Sequence, residues 1–595
     1  MCSRIAGGML RRDMAMPNRR RSASRRASGT HRKRKILIAI IIVAAVIVII
    51  GLYAVMKYAP TSEQADLREY YEITSEEEVM LVVNDVKLTQ NAIQSGEAIY
   101  LPIDAVNESI NSRFYWDGTE GILRYVSGDT VISTSAIDTT EYTRGRSTYE
   151  TGASIAVSYQ DTMYLSLEFI ALFTDIHYEM YTDEICRLVI SDEWGEIVYN
   201  EVTKDTQLRT RGGNKSPVIT ELSSGTPVTV IEEFEDWVSV MTQDGYSGYI
   251  RKAALGDEIT QTFESDYTAE EHTHLLKDEP VTMAWHQVTN TTANGYVEEV
   301  LADTQGVNVI SPTWFYLNDN TGGIASFADS DYVTYCHGQG IEVWALVSNL
   351  ENTDIDMEQI LNVTSNRDQL VSNLISAAIQ YDLDGINVDF ESLSEESAAG
   401  YLEFIRELSV RCAKNDIVLS VDNYVPSSYT QFYDRGEQAQ FADYLIIMGY
   451  DEHYDGSEAG AVASLSFVET GISETLEEVP AEQLILGIPF YTRLWTISGT
   501  LESGGVTSEV YGMSDALSLL DETGVEAAWD EESGCNYAEW IDADGNTKCI
   551  WLEDAESIAR KLAAAQNVDL AGYSFWKLGY EDSSIWDTIA EYENE

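Results

Sequence analysis

Residues Leu383–Leu393 read LDGINVDFESL, and the period of that stretch decides the fold. Ile386, Val388 and Phe390 alternate with Asn387, Asp389 and Glu391. Alternation at period two marks a strand, because successive side chains of a strand point to opposite faces. One face here is apolar and the other carries two acids and an amide. Burying unpaired carboxylates in a packed interior is strongly unfavourable, so the polar face either meets cations or serves a cleft.

Seven further apolar runs accompany it between residues 278 and 595: VTMAW from 281, NVISPTWF from 308, IEVWALV from 341, IVLSVDN from 417, YLIIMGY from 444, LILGIPFY from 484 and LAGYSFW from 570. Helical patterns lie between several of them. In DQLVSNLISAAIQ, Leu370, Leu374 and Ala378 recur every four residues with Val371, Ile375 and Ile379 beside them, and in YLEFIRELSVRCA, Leu402, Ile405, Leu408 and Cys412 form one face. Eight strands with helical crossovers predict a (β/α)8 TIM barrel over 278–595. The stretch AAWDEESGCNYAEWIDADGNTKCIWL, between the seventh and eighth runs, predicts a β-rich insertion beside the site. The eight runs contain no Lys or Arg, so no cation on a neighbouring strand pairs with Asp389 or Glu391. Glu391 stands at the C-terminal end of its strand, where barrel enzymes keep their active sites. Asp384 has the opposite parity and is expected to support the start of the strand.

The fourth run, DGINVDFE, resembles the DxxDxDxE signature of glycoside hydrolase family 18, the chitinase-like barrels. MGYD (448–451), LGIPFYTRLW (486–495) and GYSFWKLG (572–579) follow in the family's order. The branch it looks most like is that of the peptidoglycan and spore-cortex N-acetylglucosaminidases. The resemblance implies a mechanism in which the 2-acetamido oxygen of the substrate is the nucleophile. It makes Glu391 the general acid and later the base, with a pKa raised by burial and by its carboxylate neighbour. Asp389 would orient the acetamido N–H and stabilise the oxazolinium ion, and Tyr450 would bond the acetamido carbonyl. Met448 and Asp451 flank this group, with Asp451 expected to contact the substrate or the acid. Trp576 would be the apolar floor under the sugar, and Tyr491, Arg493, Trp495, Trp285 and Trp314 are candidate subsite walls. No metal or other cofactor is implied. Asn387 departs from the signature, which has an acid there. Its amide is expected to donate to Asp389 and hold it ionised over a wider pH range, and it suits the peptidoglycan branch. The aromatic-proline pair that often follows the Glu in chitinases is absent, with SLSEES in its place.

The rest of the 595 residues adds context. The net charge of −62 is unevenly placed: residues 1–35 carry +11, which leaves −73 for the remainder. So acidic a body excludes nucleic acid as a partner. Ile36–Met56 is an uncharged run of 21 residues, about 31 Å as a helix and long enough to cross a bilayer. The HRKRK before it predicts a cytoplasmic tail (1–35) and an extracellular body. A cleaved signal peptide is the competing reading; the run is longer than a usual signal core and no clear small-x-small site follows, so an uncleaved anchor is expected. Residues 57–76 read as a polar linker. Within 77–195, residues 99–126 align without gaps to 163–190, matching Leu101 with Leu165, Ile103 with Leu167, Val106 with Ile170 and Phe114 with Tyr178. This α+β repeat resembles the small domain first named from the N-terminus of copper amine oxidases; no His cluster accompanies it, and a spacer or wall-adhesion role is expected. Residues 196–256, with Gly225 before TPVTVI, Trp237-Val238 and GYSGYI at 245–250, resemble a bacterial SH3-like domain, which implies wall-peptide binding or a passive spacer. Cys535 and Cys549 flank a hairpin pattern and are candidates to pair outside the cell; Cys186, Cys336 and Cys412 read as small core residues.

Together these features predict a membrane-anchored extracellular hydrolase that cuts after N-acetylglucosamine in peptidoglycan. The alternatives are a chitin or chito-oligosaccharide hydrolase on the same mechanism, and a catalytically silent glycan-binding protein on the same scaffold. Asp389, Glu391 and Tyr450 argue against the silent reading.

Overall fold

A computed structural model describes residues 28–593 apart from 135–136 and 500–504. Most of the basic segment, with Cys2, lies outside the described residues. The chain forms two units, one of Met1–Glu72 with Val198–Gln261 and one of Ile73–Ile197 with Thr262–Glu595.

In the first unit, a helix spans Ser28–Tyr58. Its portion Lys33–Tyr58 is long and apolar enough to cross a membrane, and none of it is buried. The SH3-like part is a sheet of seven short strands closed over Leu208, Val218, Val228, Val238, Val240 and Ile250. The stretch read as a linker is partly built into this fold. Thr61 N–H donates to the Asn214 carbonyl and Ala65 N–H to that of Val218, and the Tyr71 hydroxyl reaches the Ser247 carbonyl.

In the second unit, the two repeat copies meet through equivalent strands. Ala98–Pro102 runs antiparallel to Thr162–Ser166, with Leu101 opposite Leu165. Each strand leads into a one- to two-turn helix and then a hairpin. The aligned apolar pairs are buried, except that Tyr178 is exposed where Phe114 is core. This domain packs on the barrel. Tyr115 donates to the Asn362 carbonyl, Arg113 forms a two-pronged pair with Glu437 at 2.8 and 2.9 Å, and Arg124 pairs with Asp368. The domain expected to be a spacer or wall-adhesion unit thus lends Arg113, Tyr115 and Arg124 to contacts with the barrel.

The eight apolar runs are the eight barrel strands: β1 (Val281–His286), β2 (Val309–Pro312), β3 (Glu342–Ser348), β4 (Gly385–Asp389), β5 (Val418–Tyr424), β6 (Tyr444–Met448), β7 (Leu484–Pro489) and β8 (Gly572–Trp576). Each pairs in parallel with its neighbours, β8 joins β7 and β1, and β2 joins β3. On β4, Ile386 and Val388, with Phe390 just beyond, pack outward against helices α1 (Thr364–Tyr381) and α2 (Ala398–Ala413). The helical faces form as the periodicity predicts, except that Ile379 is exposed and Leu402 is only half-buried. The inward residues Met283, Trp344, Leu346, Tyr444 and Ile485 fill the barrel's lower interior. That plug leaves the C-terminal end of the strands free to form a cavity.

The β-rich insertion is larger than expected. Tyr491–Ser498 begins directly after β7 and joins Gly505–Gly512, Ala528–Asp530, Cys535–Ile541 and Thr547–Leu552 in a five-stranded antiparallel sheet. The candidate disulfide is absent: Cys535 and Cys549 are free and buried. In the hairpin register Cys549 lies opposite Glu539, whereas Cys535 lies opposite Asp530 on another strand, so the two sulfurs are not facing.

Candidate active site

The cavity at the C-terminal end of the strands has a volume of about 170 Å³ and is lined by Trp285, Asp389, Glu391, Asp422, Tyr424, Met448, Tyr450, Asp451, Tyr491 and Trp576. Period two on β4 turns Asn387 and Asp389 inward, and Glu391 follows just past the strand. Its backbone is held in place by Asn349: the Glu391 N–H donates to Asn349 Oδ1 at 2.9 Å, and Asn349 Nδ2 donates to the Glu391 carbonyl at 2.8 Å. Ser392 then takes a left-handed conformation (φ 54°) that turns the chain away. The Tyr424 hydroxyl donates to Glu391 Oε2 at 2.8 Å.

Asn387 is fully buried and ties four strands together. It accepts from Trp285 Nε1 (3.0 Å) and Ser311 Oγ (3.2 Å), and it donates to Ser420 Oγ (3.1 Å) and Asp422 Oδ1 (2.8 Å). The expected bond to Asp389 is therefore not made; the amide points across to β5. Nor does its setting favour the Asp389 anion. Its Oδ1 is enclosed without a hydrogen-bond partner. Burial above all, then Asp422, Glu391 and Glu351, push its carboxyl well above the usual range. Asp422 is likewise raised by burial, with the Asn387 bond opposing and Glu391 adding to the rise. Glu391 is raised by burial; Tyr424 opposes this, and Asp451 and Glu351 reinforce it.

The other expected residues divide by position. Tyr450 and Met448 line the cavity from the end of β6. Gly487 on β7 lets Tyr450 sit close, since a Cβ there would meet the Ile447 carbonyl at 2.9 Å and the Tyr450 ring at 3.2 Å. Asp451 (φ 56°) accepts the Tyr491 hydroxyl at 2.7 Å and meets Arg493 at 3.5 Å. Arg493 thus stands at the rim and does not line the cavity. Trp285 and Trp576 meet edge to face at 5.7 Å.

Trp314 does not reach the site. It is fully buried among the outer core, with Nε1 donating to Asn294 at 2.8 Å and its ring against Tyr332. β2 ends at Pro312, so strand parity no longer governs residue 314. Trp495 is also buried, bonded to the Gly460 carbonyl. Asp384 is at the opposite end of β4, accepting the Val343 N–H and bonding His337, each at 2.8 Å. Among the described residues, no group of three or more His, Cys, Asp and Glu is placed to hold a metal ion.

Asp422 and Tyr424 line the cavity, Asn349 holds the Glu391 backbone and Glu351 adds its charge from nearby; none of them was singled out from sequence. The signal for two of them was present: Ser420, Asp422 and Tyr424 share the inward parity of β5, just as Asn387 and Asp389 share that of β4. Nothing local marks Asn349 or Glu351, which lie in the loop after β3.

Comparison with known proteins matches residues 336–581 to the family model "Glycosyl hydrolases family 18" and residues 204–256 to "Bacterial SH3 domain". The chain is 27% identical over 307 residues to "Uncharacterized glycosylase YvbX" of Bacillus subtilis (strain 168), covering 48% of this chain and 88% of that protein. It is 25% identical over 265 residues to "Cortical fragment-lytic enzyme" of the same organism, covering 43% of this chain and 61% of that one. A crystal structure of a chitinase from Chromobacterium violaceum superposes with a TM-score of 0.48 at 24% identity, over 53% of this chain and 99% of that one.

Proposed function

We propose that the protein, whose residues 336–581 match the glycosyl hydrolase family 18 model, cleaves β-1,4 bonds after N-acetylglucosamine in peptidoglycan by a substrate-assisted, retaining mechanism. The observation that carries the proposal is the placing of Asp389 and Glu391 in one cavity whose lining contains no cation. Burial disfavours the Glu391 anion, Tyr424 opposes this, and the Asp451 and Glu351 carboxylates reinforce it; the rise favours the protonated carboxyl that the leaving oxygen needs. As the glycosidic bond breaks, the acetamide oxygen closes on the anomeric carbon. Asp389, below it, takes the acetamide N–H and balances the charge of the oxazolinium ion, while Tyr450 donates to the acetamide oxygen. Glu391, now ionised, accepts a proton from the water that opens the ring. Trp576 and Trp285 supply the apolar floor.

Peptidoglycan is favoured by context. The SH3-like unit and the helix Lys33–Tyr58, read as a membrane anchor with its basic flank in the cytoplasm, hold the enzyme beside its own wall. A relative is named for lysis of cortical fragments. The anionic cavity suits an uncharged sugar ring at the cleavage site and gives no pull toward charged wall polymers. The test is digestion of purified peptidoglycan and of chitin oligomers by the full-length protein in detergent micelles, with reducing ends identified by mass spectrometry. Reducing N-acetylglucosamine is the expected product, and Glu391→Gln should release roughly 100-fold less or lower still. Cleavage of chitin oligomers with the wall untouched would replace the substrate; equal product from Glu391→Gln would remove the proposed acid.

A further inference from the structure

Where the family signature has an acid, this chain has Asn387, and the amide of Asn387 leads to a carboxylate on the next strand. In the parallel β4–β5 ladder Val388 is level with Val421, so the next pair along is Asp389 and Asp422. Level inward residues on adjacent strands are direct neighbours, with the strands about 4.8 Å apart. Asp422 is 3% exposed, and both carboxyls line the cavity. The titratable groups around them are Glu391 at the end of β4, Glu351 after β3, Tyr401 on α2, Tyr424 on β5, Tyr433 after β5, Tyr450 and Asp451 after β6, and Tyr491 after β7. None of these is a cation. Arg493 at the rim is engaged by Asp451 and Ser508. Two neighbouring carboxylates without a counter-charge cannot both ionise at neutral pH.

We propose that Asp422 is a positioning residue that shares one proton with Asp389, supplying from the neighbouring strand the acid that position 387 lacks. The pair carries one negative charge. As the acetamide nitrogen of the substrate gains positive charge, the proton passes from the Asp389 carboxyl to the Asp422 carboxylate, and Asp389 becomes the anion beneath the ring. The proton returns when water opens the oxazolinium ion, so no further reactant is consumed. This inference rests on the hydrolase reading above.

The test compares the wild type with Asp422→Asn, Asn387→Asp and the double exchange, as full-length protein in micelles. Asp422→Asn keeps an oxygen for the Asn387 amide, so a merely structural Asp422 would lose nothing. The expected result is a fall in kcat of roughly tenfold or more with KM within about twofold, because the new amide that holds the Asp389 anion competes with the acetamide N–H for it and cannot take up and return a proton. The alkaline limb of the pH profile should stay in place, because Asp389 alone carries the same charge as the pair. The double exchange, which puts an acid back beside Asp389, should recover kcat to within about threefold of wild type. An unchanged kcat in Asp422→Asn overturns the proposal. So does an alkaline limb displaced to lower pH, since removing an independent anion would lower the pKa of Glu391. Thermal midpoints give a readout free of activity. A native pair that keeps a proton the unfolded chain releases loses stability as the pH rises. Asp422→Asn removes that share, because its new amide stabilises the Asp389 anion. Its midpoint should therefore gain on the wild type between about pH 5 and pH 8; a constant difference overturns the shared proton. If the wild type cleaves no glycan, the hydrolase reading falls while this slope still decides the pair.

Discussion

Tyr424 and Asp451 act on Glu391 with opposite signs, and this makes the acid's environment testable one side chain at a time. The Tyr424 hydroxyl donates to Glu391 Oε2 and so favours the anion. Tyr424→Phe should raise the pKa of the acid further and move the alkaline limb of kcat/KM to higher pH. Asp451 disfavours the anion, so Asp451→Asn should move the same limb to lower pH. A pH–rate series on the two variants checks both signs. At this scale the sequence was legible wherever strand parity applied. Asp389 and Glu391 follow from the alternation of β4, and Asp422 could have followed from that of β5. Trp314 could not, because it stands two residues past the end of β2. The direction of the Asn387 amide was also beyond the sequence: an inward amide can donate to its own strand or to the next, and only the packed barrel selects Ser420 and Asp422.

At the scale of elements, helices α1 and α2 are joined by charge inside an otherwise apolar layer. Arg367, fully buried on α1, donates to both oxygens of Glu407 on α2 at 2.9 and 3.2 Å and to the Leu361 carbonyl at 2.6 Å. Removing one partner of a buried pair strands the other charge. Arg367→Met should therefore cost about 3–5 kcal/mol, read from denaturant midpoints. Glu403, one turn before Glu407, is raised to about 7 by burial and then by the Glu407 charge. A raised carboxyl holds in the native state a proton that the unfolded chain gives up. Its stabilisation is complete below the unfolded carboxylate range and is lost as the pH rises through about 7. Glu403→Gln should accordingly flatten part of the fall in melting temperature across that interval. The helical period predicted which faces are apolar, but a pattern of Leu and Ile does not reveal that Arg367, Glu403 and Glu407 share the same interface.

At the scale of the whole molecule, the repeat domain completes a barrel helix. The start of α1 has no side-chain cap of its own. Asp117 from the repeat domain accepts the Thr364 N–H at 2.7 Å, and Glu120 accepts the Ser365 N–H at 2.8 Å. These acids satisfy donors that have no partner within the helix at its N-terminus and oppose its dipole. Asp117→Ala should cost about 1–2 kcal/mol, the worth of a helix cap, although the residue is remote in sequence. Residues 278–595 alone should melt below residues 73–595, since they lose this cap and the Arg113 and Arg124 pairs; calorimetry of the two truncations checks it.

The sequence by itself determined the eight strands, the (β/α)8 architecture, the inward acids of β4, the long apolar helix and the repeat, because each is written in a local period or a short motif. Tertiary structure alone decided that Asp422 stands beside Asp389, that the Asn387 amide turns to β5, that Cys535 and Cys549 do not face each other, and that the repeat domain caps α1. Those outcomes depend on register between strands and on contacts between residues far apart in the chain. Periodicity says which face a side chain takes, but not which neighbour it meets there.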